Sequence, residues 1–545
     1  MFDSILLATT TSDKVWPIVI LAVYMLAMVG IAIYSRRRTK SLDDFVLAGR
    51  GMGGWMSAFA YGTTYFSSVI FIGYAGKFGW EIGISSIMIG IGNALIGSLL
   101  AWQVLAKRTR MMTHRLGART MPEFFEKRYE DKGLKLFSAI IIFVFLVPYS
   151  ASVYQGLGYL FEVIFGIDFI WCIIIMAIIT ALYLVFGGYF ATALSDFVQG
   201  IVMLVGVIVM VIMIIKNPIV GGSEGLDKLT ELGLGFIPNA EGGWDSPLFN
   251  LIILVLLTSF GMWGLPQSVH KFYAIRDDKA ISQAMIISTV FCFIIGTGAY
   301  LTGAFGILYL DGKLPAGGYD AIVPEMLKMA LPAAMLGLIM VLVLSASMST
   351  LASLSLSGAS SLGVDAYKGF IKPDASEKKV NRVVKVLCLI FVLISVILAI
   401  TKVQAIVTLM SLSWGTLAGC FIGPYVLGLY SKKVTKAGCY ASLGGSLILT
   451  LLLIIIFGCI SPKGGELTFG NMISGGVARA PLIGVICMAF SFIITAVVSK
   501  FTHKPSDSML GVAFDGDVIM KAEDATIKIE NYGKLPENIE DEEND

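Results

Sequence analysis

The chain has 545 residues, of which 56% are hydrophobic and only 14% are charged. Soluble domains carry about 25% charged residues, so the composition excludes a string of ordinary soluble domains. The formal net charge of +2 hides an uneven distribution, because residues 506–545 hold 12 acidic and 3 basic residues. The remainder of the chain is therefore basic.

Long apolar runs predict thirteen membrane-spanning helices, since about 20 apolar residues cross a bilayer. Each run is continuously apolar, whereas the strands of a membrane barrel alternate and are about half as long. The predicted spans lie near 15–35, 52–76, 82–106, 136–158, 169–188, 194–215, 248–270, 280–308, 331–361, 384–401, 404–430, 437–459 and 480–499.

Basic residues between the spans predict the orientation. With the N-terminus outside, the inner segments hold 31 of the 40 Lys and Arg residues, as retention of positive loops in the cytoplasm requires. One of these loops is KFYAIRDDK (271–279), which places Lys271 outside the seventh span. The start of the chain has no basic region before its first apolar run, so the first span is expected to be retained. We therefore expect a multi-pass protein of the cytoplasmic membrane with its C-terminus inside.

Two predicted spans contain residues that interrupt helices. The second has Gly62 followed by Thr63, and the seventh has Pro266, which lacks an amide donor. The two spans are five apart, and broken helices at corresponding places in two halves of a chain are typical of inverted-repeat transporters, with the binding site between them. The alternative is a pair of kinked helices that pack through small residues.

The ninth span is rich in hydroxyl groups. Ser349 and Thr350, with the carbonyl of Ala346 one turn earlier, would direct three oxygens to one point. Hard cations prefer oxygen ligands and do not require a formal charge. Freed carbonyls of Thr63 and Phe66 could complete a cage of five oxygens. A helix rich in Ser also packs closely, and that explanation remains open.

Asp196 is the one charged residue between the fifth and sixth apolar runs. An acid at this depth marks an ion path or a buried ion pair. The alternative is a helix cap at the membrane surface, formed by Ser195 or Asp196.

Catalytic motifs are missing from the sequence. The seven cysteines form no CxxC pair, the three histidines form no ligand cluster or catalytic triad, and no phosphate-binding loop is present. We therefore expect neither an enzyme nor an ATP-driven pump.

Four segments together resemble the sodium:solute symporters, which include proline, pantothenate and glucose cotransporters. They are SLDDFVLAGRGMGGWMSAFA (41–60), GGYFATALSDFVQ (187–199), SASMSTLASLSL (345–356) and GPYVLGLYSKKVTKAG (423–438). The resemblance implies an all-α protein with a LeuT-like core of five plus five inverted helices, spans 2–6 and 7–11. The implied divisions are 1–50 (first helix and loop), 51–215 and 216–430 (the repeats), 431–505 (peripheral helices) and 506–545 (an acidic, disordered cytoplasmic tail).

The resemblance also implies a sodium site. Matching positions are Thr63, Phe66, Ala346, Ser349 and Thr350, in agreement with the oxygen cage. Asp196 matches a family position implicated in sodium coupling. Some members bind a second sodium with this acid and two hydroxyls, which here correspond to Ala352 and Ser353. Because Ala352 lacks the hydroxyl, we expect one sodium per cycle.

Substrate identity is less defined, since Tyr65, Thr258, Met262 and Ser411 replace residues of the proline and sugar signatures. The resemblance places eight residues around the solute: Thr64, Tyr65, Ser68, Met262, Trp263, Pro266, Ser411 and Trp414. This uncharged lining favours a neutral or zwitterionic amino acid or a monocarboxylate, with a sugar as the alternative.

The sequence therefore predicts sodium-coupled import of a small organic solute by alternating access. The expected partners are that solute, sodium and the lipid bilayer, without nucleic acid, and a monomer suffices. One alternative is a membrane sensor that detects the solute and signals through its C-terminal tail. A passive channel is the other.

Overall fold

The computed structural model describes residues 11–36, 47 and 50–514, and these residues are almost entirely helical. The helices of the first half are α1 Thr11–Arg36, α2 Gly54–Tyr65, α3 Ala75–Ile82, α4 Ile87–Gly92, α5 Lys107–Arg115, α6 Met121–Tyr129, α7 Lys132–Phe165, α8 Phe169–Lys216, α9 Ser223–Glu231 and α10 Pro247–Phe260. Wider π-type turns at Val69–Tyr74, Asn93–Leu100 and Trp102–Ala106, and a 3₁₀ turn at Gly83–Ser86, connect α3, α4 and α5.

The helices of the second half follow in the same way. They are α11 Pro266–Ala274, α12 Asp278–Ala304, α13 Gly306–Tyr309, α14 Ile322–Ala330, α15 Ala333–Ser360, α16 Glu377–Ile400, α17 Ile406–Tyr430, α18 Lys436–Ile460, α19 Phe469–Ala478 and α20 Ala480–Lys500. Short 3₁₀ turns lie at Gly243–Asp245, Gly261–Trp263 and Gly318–Ala321, and a π-type stretch, Ser361–Ile371, extends α15. Within the described ranges the chain forms no β-strand, and Met52 and Ile275 form an isolated bridge.

Every predicted span falls mostly on helical residues, but the count of thirteen is not confirmed. Nine helices of the described part are long and apolar enough to cross a membrane, and a tenth is the bent pair Pro247–Trp263 with Pro266–Ala274. Two of the expected spans correspond only to shorter apolar helices, Val15–Met28 and Phe169–Ala181.

Burial separates central from peripheral helices. The most apolar stretch of α15, with its extension, is 83% buried, and that of α17 is 89% buried. The corresponding stretch of α18 is only 28% buried and carries exposed Leu451 and Ile455. Residues such as these suit contact with lipid. The hydroxyl-rich ninth span is therefore at the centre of the bundle, where it can line a site.

The predicted break in the second span is present. Helix α2 ends at Tyr65, and Phe66 is extended, with φ −108° and ψ 132°. The chain turns helical again at Val69, and the amide of Ser68 donates to the side-chain oxygen of Ser347 rather than to a carbonyl of α2. This break leaves carbonyls at the end of α2 free to bind something other than a backbone amide.

The seventh span is also broken, as expected. Helix α10 ends at Phe260, a 3₁₀ turn covers Gly261–Trp263, and Pro266 begins α11. Proline suits a first helical position because its missing amide proton would have no partner there. The two halves meet at 43°. Both broken spans therefore place irregular backbone inside the bundle, which is tolerated where it lines a site.

The structure differs from the predicted disordered tail at its beginning. Residues 507–514 are helical, with Met509, Leu510 and Ala513 buried against the bundle. Arg115 donates to the carbonyl of Phe514 at 3.0 Å. The remainder of the predicted tail, 515–545, lies outside the described residues, as do 1–10 and most of the first loop.

Candidate functional site

The predicted oxygen cage forms around the hydroxyl of Thr350. Its Oγ1 lies 3.0 Å from the carbonyl oxygen of Ala346 and 3.4 Å from those of Thr63 and Phe66. The first carbonyl comes from α15 and the other two from the broken end of α2. Four of the five predicted sodium ligands therefore converge, and all four are neutral oxygens.

Ser349 provides the fifth predicted oxygen and connects the cage to a charge. Its Oγ lies 2.6 Å from Asp196 Oδ1 and 2.9 Å from Thr63 Oγ1. A serine has one hydroxyl proton, and a carboxylate is the stronger acceptor. When Ser349 donates to Asp196, its lone pairs are left for a cation. The residues present thus fit a sodium ion, which favours oxygen ligands.

Asp196 is completely buried on α8, so the alternative of a surface helix cap is wrong. Its Oδ2 lies 3.6 Å from Nζ of Lys271, whose side chain is 2% exposed. The expectation that Lys271 belongs to a cytoplasmic loop is therefore also wrong, because α11 continues through it to Ala274. A buried carboxylate requires such a partner, since an isolated charge is costly inside a membrane protein.

The residues predicted for a second sodium contact this lysine. Lys271 Nζ lies 3.2 Å from Ser353 Oγ, and Ser353 Oγ lies 3.2 Å from Thr64 Oγ1. Thr64 was expected to face the solute. Thr64 follows Thr63 directly in the helix, so its side chain points in another direction. It faces Ser353 and the ion pair rather than the aromatic cluster.

An aromatic cluster lies beside the break in α2. Tyr65 stacks on Phe66 with ring centroids 4.9 Å apart, and its ring is 6.1 Å from that of Trp414 on α17. Tyr149 on α7 meets Trp414 edge-on at 5.6 Å. The Tyr65 hydroxyl donates to the carbonyl of Thr258 at 2.7 Å, so its ring is held in place. The structure thus brings together two of the predicted solute residues, Tyr65 and Trp414.

Two polar atoms in this cluster are buried without a hydrogen bond of ordinary geometry among the described residues. They are the hydroxyl of Tyr149 and the indole nitrogen Nε1 of Trp414. Buried polar groups are normally paired, so these atoms are candidates to bind a solute. Gly261, in the break of the seventh span, lies close to the Trp414 ring, because a Cβ there would be 3.4 Å from it.

The other predicted solute residues are distributed more widely. Ser411 bonds to the hydroxyl of Tyr74 at 2.7 Å, and Ser68 Oγ donates to the carbonyl of Val153 at 2.8 Å. Trp263 Nε1 donates to the carbonyl of Ile96 at 3.1 Å, and Met262 Sδ accepts from Ser268 at 3.5 Å. These four side chains are already engaged within the protein.

Pro266 belongs to a different space. It lines a narrow cavity of about 30 Å³ together with Lys271, Ser353 and Thr192. Thr120, Met121 and Pro122, which belong to a segment predicted to be cytoplasmic, also line the cavity. The cavity therefore lies between this segment and the ion pair.

Two site residues were missed by the sequence analysis. Tyr149 lies in an ordinary apolar run. The one indication of a site there is the short polar sequence PYSAS (148–152), which follows Phe145 and Val147. Lys271 follows the apolar residues of the seventh span and was counted as a loop charge. A helix that begins at Pro266 predicts its place, because Lys271 is four residues after Gln267 and residues four apart share one face of a helix.

Two bacterial transporters are similar to this chain over most of its length. The osmoregulated proline transporter OpuE of Bacillus subtilis (strain 168) is 28% identical over 507 residues, which are 91% of this chain and 97% of that protein. A sodium/proline symporter of Staphylococcus aureus is 29% identical over 505 residues, 89% of this chain and 93% of that protein.

A solved structure shares the fold. The substrate-bound, outward-open state of a Na⁺-coupled sialic acid symporter matches 91% of this chain and 99% of its own, with a TM-score of 0.70 and 20% identity. At this identity the likeness concerns the fold alone, which is the all-α, LeuT-like arrangement expected from the sequence. Residues 45–448, which are most of the chain, match the family itself. The chain is a membrane transporter with sodium as its coupling ion, not an enzyme, and it belongs to the sodium:solute symporter family.

Proposed function

We propose that this protein imports a small zwitterionic amino acid together with sodium by alternating access, and that proline is the first solute to test. The observation that carries the proposal is the convergence of Thr63, Phe66, Ala346 and Thr350 oxygens at the break of α2. Three backbone carbonyls and one hydroxyl meet there beside a buried carboxylate, and such a set of oxygens suits a hard cation.

Sodium would order the break of the second span. The carbonyl of Phe66 faces the cage, and the ring of the same residue stacks on Tyr65. A cation that fixes the Phe66 carbonyl therefore also fixes one wall of the aromatic cluster. Coupling between two ligands by such a shared element is typically about 1–3 kcal/mol.

The aromatic cluster suits a zwitterion. Its rings offer faces to an ammonium or iminium group, which aromatic rings attract. The chain becomes helical again at Val69, and the positive end of a helix favours a carboxylate. Tyr149 Oη and Trp414 Nε1 supply two further donors. Two similar proteins are named for proline transport, which is why proline comes first.

Orientation and energetics complete the proposal. From the distribution of basic residues we propose that the N-terminus lies outside and that the cavity beside Lys271 is on the cytoplasmic side. Each sodium that enters is driven by its gradient and by about 2.3 kcal/mol per 100 mV of membrane potential. One chain contains the whole site, so we propose that a monomer suffices.

The test is a thermal-shift screen of the purified full chain with neutral amino acids, monocarboxylates and sugars, each in sodium and in choline chloride. We expect stabilisation by proline or a related zwitterion only in sodium. Uptake of the same compound into proteoliposomes should then require an inward sodium gradient. Equal uptake in choline would exclude sodium coupling, and stabilisation by a sugar alone would exclude the amino acid.

A further inference from the structure

The buried ammonium of Lys271 lies where a second cation would be expected. Asp196 and Ser353 are the two residues that the family resemblance associates with a second sodium, and Lys271 Nζ lies 3.6 Å from one and 3.2 Å from the other. The lysine comes from α11, the second half of the broken seventh span, whereas Asp196 is on α8 and Ser353 is on α15.

Charge balance supports this placement. The carboxylate of Asp196 and the ammonium of Lys271 neutralise each other, and both side chains are almost fully buried. The oxygen cage one turn away contains only neutral ligands. Without Lys271 the cluster would carry a net negative charge in a region of low dielectric, which would attract a mobile cation.

The ammonium already contacts the oxygens that a second ion would use. Ser353 Oγ is shared between Lys271 Nζ and Thr64 Oγ1, both at 3.2 Å. A sodium bound by Asp196 and Ser353 would have to displace the ammonium from both. The position that would supply a further hydroxyl is Ala352, which has none.

We propose that Lys271 is the resident cation of the second site, covalently tethered to the chain, so that one sodium moves in each transport cycle. The inference rests on the proposed sodium symport and extends it to the stoichiometry. Lys271 is a positioning residue: its ammonium lies against one oxygen of Asp196, the other oxygen of Asp196 accepts the proton of Ser349, and the lone pairs of Ser349 then face the proposed sodium cage.

The cavity beside Lys271 and Asp196 distinguishes a covalently attached ammonium from a free ion. Lys271 and Ser353 line the narrow cavity that also borders Thr120 and Pro122, in a segment predicted to be cytoplasmic. A free ion at this position could leave by that route when the site opens inward. A tethered ammonium stays, so its charge is present in every state of the cycle.

The experiment counts bound sodium, which needs no knowledge of the solute. Purified full-length protein at pH 8.5 is titrated with radioactive sodium at constant ionic strength, with choline as the replacement. We expect one ion per wild-type chain and a Hill coefficient near 1. Lys271→Met leaves Asp196 unpaired and should bind two ions with a Hill coefficient approaching 2. Lys271→Arg, and Lys271→Met combined with Asp196→Asn, should each return to one.

Lys135→Met is the matched control, because Lys135 forms a separate buried network with Glu126, at 2.8 Å, and Asp365. It should lower the melting temperature yet keep one sodium. Two ions in the wild-type chain would overturn the inference even if Lys271→Met does not fold. One ion in a folded Lys271→Met variant would overturn it as well. A wild-type chain that binds no sodium would instead reject the proposed sodium symport.

Discussion

Ser349 Oγ lies 2.6 Å from Asp196 Oδ1, and this contact joins the neutral oxygen cage proposed for sodium to the buried ion pair. The same oxygen lies 2.9 Å from the hydroxyl of Thr63, on the broken helix. One serine therefore touches three elements, α2, α8 and α15, that must keep their relative positions for the cage to exist. A movement of α8 away from α15 would separate Asp196 from the cage.

Removing the two hydroxyls should remove sodium dependence. We predict that Ser349→Ala and Thr350→Ala each raise the sodium concentration for half-maximal uptake by roughly tenfold, about 1.4 kcal/mol, and that the double variant has no sodium-dependent uptake. Ser355→Ala is the control, because Ser355 lies on the same helix and its buried hydroxyl has no hydrogen bond among the described residues. Sodium-dependent uptake by the double variant at wild-type levels would contradict the assignment of the cage.

The hydroxyl of Tyr149, which has no hydrogen bond of ordinary geometry among the described residues, should act on the solute and not on sodium. We predict that Tyr149→Phe raises KM for the transported solute by roughly three- to tenfold, the loss of one hydrogen bond of about 0.5–1.5 kcal/mol. Sodium binding without solute should be unchanged. Tyr154→Phe provides the comparison, since Tyr154 is buried on the same helix and its hydroxyl is also unpaired among the described residues. If both variants behave alike, Tyr149 is not a solute contact.

Asp320, in the turn before α14, should make stability depend on pH. Its Oδ2 accepts the amide proton of Ile406 at the start of α17, and burial raises the pKa of its carboxyl to about 6. Because the folded pKa lies above the ordinary value of 3.8, its contribution to stability is present below pH 4. It is lost as the pH rises through 6, to a total of about 3 kcal/mol.

Asp320→Asn removes this titration and retains an oxygen that can accept from Ile406. We therefore expect the variant to melt at a higher temperature than the wild type at pH 7.5, with a smaller difference at pH 4.5. The difference between the two melting temperatures, measured at several pH values, reports the titration of Asp320 because all other titrating residues are the same in both proteins. A constant difference between the two proteins would show that Asp320 does not titrate in this range.

The docked segment 506–514 should contribute to stability. Ser506 Oγ donates to Glu130 at 2.6 Å, and these hydrogen bonds lower the pKa of the Glu130 carboxyl. Deleting 506–545 removes the buried side chains of Met509 and Leu510, each worth about 1.5–3 kcal/mol, and should lower the melting temperature. Deleting 515–545 should not. Sodium-dependent uptake is expected from both deletion variants, whereas under the sensor alternative deletion of 506–545 would abolish signalling.

The sequence is sufficient for the helices and for most of the cage. Apolar runs of about 20 residues locate helices because the bilayer requires them, and the adjacent hydroxyls of Ser349 and Thr350 have few structural explanations at the centre of a bundle. The boundaries are harder to predict. The seventh span is predicted to end before Lys271, because a lysine is usually assigned to a loop unless its buried partner is known. In the structure α11 continues to Ala274.

The solute site was predicted less well, for a physical reason. Thr64 and Tyr65 are consecutive on one helix, so they point about 100° apart, and only Tyr65 reaches the aromatic cluster. Tyr149 follows Pro148 in a helix that continues to Phe165, and only the short polar sequence PYSAS distinguishes its segment from packing residues. Its role depends on the proximity of Trp414, which is distant in sequence.

Phe66 has a backbone oxygen in the sodium cage and a ring in the aromatic wall, and this dual position imposes reciprocity. Thermodynamic linkage requires that, if sodium raises the affinity for the solute by some factor, the solute raises the affinity for sodium by the same factor. A saturating solute should therefore shift the sodium binding curve to lower concentrations. Bound sodium would raise the affinity for the solute, and bound solute would raise the affinity for sodium. When either one is scarce, most carriers would therefore stay empty and would not let sodium through alone.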